Sequence, residues 1–175
     1  VEPKILTMRF GRKYYEHDWK NFLLSCPICN SCKGDTHYLP EQLILPNKDD
    51  SYKAFLYFKG GGIEVNPVAE DDVRERANNT LSLIKLTRKG NECTGADFRW
   101  KERLEAWNTA EDFLTYYKKG KANLSCIISY VKKTGMWSVW YTVFQEVDAV
   151  KKSLIESFPG TAKQYFLIGE EEYER

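Results

Sequence analysis

Apolar and polar positions follow two different periods along this chain. In "AFLYFKGGGIEV", two short apolar runs flank three glycines, which predicts a β-hairpin with strands at 54–59 and 63–65 around a turn at 60–62. Beyond it the period becomes helical. Asn66 as cap, Pro67 at the first helical position and acids in the early turns predict a helix start. Val73, Ala77, Leu81 and Ile84 then share one face. A second helix is predicted from Asp97 as cap, with an apolar stripe of Trp100, Leu104, Trp107 and Leu114 and an end at Gly120. A shorter helix over 123–133 ends near Gly135. Trp137, Trp140, Tyr141 and Phe144 fall at i, i+3, i+4 and i+7, a buried helical face. Residues 148–158 form a last amphipathic helix, stopped by Pro159 and Gly160. The pattern is an α+β fold, mostly α.

The first third is less periodic. Tyr14, Tyr15, Trp19, Phe22 and Leu23 make an aromatic approach to residues 25–35, where Pro27, Asn30, Gly34 and Asp35 predict a sharp bend. Residues 36–52 read as loop, broken by Pro40 and Pro46.

Composition adds limits. With 175 residues, 42% hydrophobic and 29% charged, the chain reads as a soluble globular protein with a sizeable core. The net charge of +1 excludes a global basic field, so nucleic-acid binding needs a local patch. No apolar run approaches the roughly 20 residues of a membrane span, and no signal peptide is visible. Five unevenly spaced cysteines fit a reducing, cytoplasmic setting better than a disulfide framework. The chain begins with Val1 rather than Met, so residues are expected upstream of it.

Three cysteines crowd into "SCPICNSCKGD". Cys26 and Cys29 form a C-x2-C pair, whose spacing lets one turn aim two sulfurs at a tetrahedral zinc ion. The same spacing serves dithiol redox sites, though no βαβ pattern follows here, and it also occurs in plain structural cysteines. Cys32 reads as incidental, and Cys93 and Cys126 as buried unpaired thiols or distant ligands. His17 and His37 read as surface or loop histidines, each with a second reading as base or metal ligand. Arg99, Lys101 and Arg103 read as a solvated helix face.

"DWKNFLLSCPICNSCKGD" as a whole resembles a group of HNH nucleases, through Trp19, Asn21, Cys26, Cys29, Asn30, Lys33 and Gly34. Upstream, Glu2, Pro3 and Lys4 match part of that group's E-H-x-x-P-K segment, without its histidine. "DFRWKERLEAW", "GMWSVWYTVF" and "LIESFPGTAKQYF" are similar to the helical body of PtuB-type HNH proteins, which accompany an ATPase in Septu and retron anti-phage systems.

The resemblance implies a small ββα-metal unit over residues 1–50 and a hairpin plus helical body over 51–175. It implies a metal-dependent endonuclease subunit that cleaves phosphodiester bonds, on DNA in preference to RNA, under a PtuA-like ATPase partner. Asn21 and Asn30 take the middle and last catalytic positions, and Lys33 and Lys4 face nucleic acid. Cys26 and Cys29 supply half of a structural Zn2+ site, whose other C-x2-C belongs upstream of the first histidine. A catalytic divalent ion such as Mg2+ completes the chemistry. The alternative is a degenerate, zinc-stabilised adaptor that binds without cutting.

Overall fold

The computed structural model describes residues 2–3, 22–23, 25–34, 36, 38–89 and 97–166. The architecture is mostly helical α+β, with a small hairpin packed among helices.

Strand β1 (Glu2–Pro3) runs antiparallel to β2 (Phe22–Leu23), with Glu2 opposite Leu23 and Pro3 opposite Phe22. Shortly after β2 comes helix α1 (Pro27–Lys33), where the sequence predicts a bend. Of the predicted turn formers, Pro27 and Gly34 delimit this helix, Asn30 lies inside it, and Asp35 lies outside the described residues. Pro27 sits at its start, where a missing N–H is harmless. Cys26 is the extended N-cap, its sulfur accepting the Cys29 N–H at 3.3 Å. Gly34 ends the helix at φ +47°, its N–H returning to the Asn30 carbonyl.

A one-turn helix α2 (Ser51–Ala54) leads into the hairpin. Its strands β3 (Phe55–Phe58) and β4 (Gly62–Val65) pair in the register Phe55 with Val65 and Phe58 with Gly62, close to the predicted limits. Helix α3 (Asp71–Ile84) starts later than Pro67. The Asn66 side chain explains the delay: its oxygen accepts the Val68 N–H and its amide donates to the Lys53 carbonyl, holding a turn before the helix begins. From α3, Ala77 and Leu81 join Ile44, Ala54, Phe55 and Ile63 in one hydrophobic core.

Residues 43–45 take part in two cores at once. Leu43 and Leu45 pack with Leu83, Leu23 and Ile84, while Ile44 between them turns to the hairpin side. This extended stretch is fixed by side chains of α3. Thr80 accepts the Ile44 N–H at 2.8 Å, and Arg76 donates to the Leu43 carbonyl at 2.7 Å and to Asp49 at 2.6 Å.

The C-terminal body comprises α4 (Arg99–Lys118), α5 (Leu124–Thr134), α6 (Trp137–Val143) and α7 (Asp148–Ser157). Its core is Ala110, Ile127, Ile128, Val131, Trp140, Phe144, Val150 and Leu154. The predicted face of α6 holds: Trp140 and Phe144 are fully buried, and Trp137 stacks on Tyr141 with centroids 4.7 Å apart. The expectation for α4 holds only in part: its apolar stripe is half-buried, like Trp137 and Tyr141, but two of its three cations are not solvated. Trp100, Leu104, Trp107 and Leu114 are only half-buried, while Arg99 and Arg103 are 8% and 4% exposed. Lys101 alone of the three cations is solvated.

The hairpin tip explains Arg103. Gly61 has φ +76°, and a Cβ there would lie 2.6 Å from the Trp100 carbonyl oxygen and 2.9 Å from the Leu104 nitrogen. Glycine therefore lets the tip seat directly on the backbone of α4. Arg103 then donates to the Gly61 carbonyl at 2.8 Å and to the Leu86 carbonyl at 3.1 Å. Among the described residues, no helix is long and apolar enough to cross a membrane.

Candidate metal centre

Helix α1 brings the cysteines together on a single short element. Cys26 caps it and is exposed, while Cys29, one turn on, is half-buried. The Cys26 sulfur accepts the Cys29 backbone N–H, which keeps the two residues on one turn. Two soft sulfurs on one turn suit half of a tetrahedral zinc set. Among the described residues, no group of three or more metal-ligating side chains gathers. Completing a closed zinc site would therefore require ligands beyond the described residues.

Burial, reinforced by the neighbouring Cys26 side chain, pushes the Cys29 thiol up to about 11. Arg99 works in the opposite direction but does not cancel the burial. The free thiol is thus protonated at neutral pH, and a metal ion taking this sulfur must displace a proton.

Arg99 is the member of this site that sequence reasoning misassigned. Its guanidinium is buried and donates to the Cys29 sulfur at 3.1 Å and, more distantly, to the Cys32 sulfur at 3.7 Å. It also donates to the Ile84 carbonyl at 2.9 Å and the Lys85 carbonyl at 3.4 Å, at the C-terminal end of α3. Asp97 grips the other edge in two bonds of 2.8 and 2.9 Å. These hydrogen bonds raise the Arg99 pKa despite burial, and hold the Asp97 carboxyl below the usual carboxylate range. Asp97 does accept the Arg99 backbone N–H at 3.4 Å, but Phe98 occupies the N-cap position predicted for Asp97. Cys32, read as incidental, lies within the reach of the same guanidinium.

Asn30 is exposed in the middle of α1, its backbone N–H bonded to the Cys26 carbonyl at 3.0 Å. Lys33 is half-buried in the last turn. Asn21, Lys4, Trp19, His17, His37 and Cys93 lie outside the described residues. Cys126 is exposed near the start of α5, its N–H bonded to the Asn123 cap.

No protein-family model, curated protein or solved structure matches the chain.

Proposed function

We propose that this chain is a metal-dependent HNH-type nuclease subunit, of the PtuB kind, that cleaves nucleic acid under the control of an ATPase partner. The observation that supports it best is an order of elements. An antiparallel strand pair, β1 with β2, runs straight into a helix that opens with C-x2-C. That order is the ββα arrangement of the HNH resemblance, with Cys26 and Cys29 at its strand-to-helix corner.

In this reading Cys26 and Cys29 bind a structural zinc ion that fixes the corner, and Asn30 projects from the exposed surface of α1 toward the cleavage site. Asn21, next to β2 in sequence, orients the reacting groups by hydrogen bonding. Lys33 and Lys4 contact phosphate. A divalent ion such as Mg2+ supplies charge stabilisation to the leaving oxygen when bound. DNA is the preferred substrate.

The test is cleavage of duplex DNA by the purified chain with zinc and Mg2+, with and without the ATPase. The wild type is expected to cut when the partner is present, and Asn21→Ala to lose about 10²-fold in rate. Zinc content is measured on the same samples. A wild type that holds zinc and binds DNA or the ATPase without cutting is the adaptor. A Cys26–Cys29 disulfide without zinc points to dithiol chemistry and sinks both readings.

A further inference from the structure

A buried Arg–Asp pair is weak evidence for stability by itself, because desolvation of both ions offsets much of their attraction. What distinguishes Arg99 is where its remaining donors go. Nε and one Nη2 hydrogen are spent on Asp97. Nη1 serves the Cys29 sulfur and the Ile84 carbonyl, and Nη2 also reaches toward Cys32 and the Lys85 carbonyl. A single planar fork thus touches α1, the end of α3 and the segment that starts α4. Lysine has no such geometry, since its three donors radiate from one atom.

The geometry points to Arg99 as the positioning residue of the metal centre: clamped by Asp97, it fixes the Cys29 sulfur and ties that sulfur to the helical body. This rests on the zinc reading of Cys26 and Cys29. N–H···S bonds from outside the coordination sphere set the direction of a thiolate ligand and offset its charge, and loss of such a partner lowers metal affinity by about 10–100-fold. Because the same guanidinium holds the C-terminal carbonyls of α3, the coupling is reciprocal. A metal that favours the Arg99-bound position of Cys29 also stabilises the junction of α3 with α4. Metal loading should therefore raise the melting temperature of the whole chain, through Arg99.

The experiment compares wild type, Arg99→Lys, Arg99→Met and Asp97→Asn. Zinc affinity is measured by competition with a chromophoric chelator, and Co2+ substitution reports sulfur ligation through its thiolate charge-transfer bands. Arg99→Met is expected to weaken zinc binding about tenfold or more and to alter the Co2+ bands. Arg99→Lys, which keeps the charge and part of the donor set, should recover part of the affinity. Asp97→Asn keeps the guanidinium and only loosens its clamp, so it reports even if Arg99→Met fails to fold; its expected loss is smaller than tenfold. Zinc should raise the melting temperature of the wild type more than that of the variants. Wild-type affinity and equal zinc-induced stabilisation in folded Arg99→Met, or in Asp97→Asn should that protein not fold, overturn this inference and leave the zinc reading intact. A wild-type chain that takes up neither Zn2+ nor Co2+ overturns both.

Discussion

Replacing Trp140 by alanine should lower the stability of the protein by about 3–5 kcal/mol, the range for removing a buried aromatic side chain and leaving a cavity. Trp140 is fully buried in α6 at the centre of the C-terminal core. Its ring lies 5.6 Å from Phe113 of α4 and from Tyr130 of α5, and stacks on Phe144 at 6.1 Å. Three elements lose packing at once, so local relaxation cannot close the gap cheaply. At about 2–4 °C per kcal/mol for a chain of this size, the melting temperature should fall on the order of 10 °C, measured by circular dichroism. Trp140→Phe provides the contrast. The indole N–H is buried and finds no hydrogen-bond partner among the described residues, so phenylalanine removes that donor while keeping much of the aromatic volume. Its loss should be clearly smaller than that of alanine. Equal losses for both variants would mean that the indole's extra ring, rather than aromatic packing as such, holds the core.

Asp97→Ala carries a second large effect, of electrostatic origin. It strands the buried Arg99 guanidinium without its carboxylate, and breaking a buried pair in this way typically destabilises by about 3–5 kcal/mol. The variant should also change the acid limb of stability. The hydrogen bonds from Arg99 hold the Asp97 carboxyl below its unfolded value of about 3.9. A group with a depressed folded pKa contributes stability that is present above the unfolded value and is lost as pH falls through the folded one. Urea unfolding of the wild type should therefore show stability falling as pH drops below about 4. In Asp97→Ala that part of the fall should be missing, with stability already lower at pH 7. A variant with wild-type stability at neutral pH and an unchanged acid limb would remove Asp97 from the list of structural anchors.

The hairpin and the helices of the C-terminal body were legible because their signal is local. Apolar runs on either side of three glycines mark 55–65, and a period near 3.6 marks 137–144 and 148–157, whatever their distant neighbours. The helix start at Asp71 was not legible, because the Asn66 side chain binds Lys53, which is distant in sequence. Helix α1 was misread because proline and glycine punctuate both turns and helix ends. Arg99 and Arg103 were misread for a deeper reason. Their acceptors include backbone carbonyls of Gly61, Ile84 and Leu86 and a sulfur of Cys29, none of which leaves a trace in the residues around them. Arg99, Arg103 and Ala110 fall on one face of α4 and all three are buried, the alanine in the C-terminal core and the arginines nearer the start of the helix. Of the candidate site, the C-x2-C pair was readable from spacing, whereas its Arg99 and Asp97 neighbours required the fold.

The alternation at Leu43, Ile44 and Leu45 has a practical consequence for handling the protein in pieces. Three consecutive residues are shared between two cores, so the chain there acts as a seam rather than a linker. A fragment beginning at Ser51 would leave behind Ile44, which closes the hairpin core, and the two leucines that cover Leu83. The hairpin and α3 would then present bare apolar surface, an invitation to aggregate. Any dissection of the molecule should cut well before this seam and keep Leu43 through Leu45 with the helices they join.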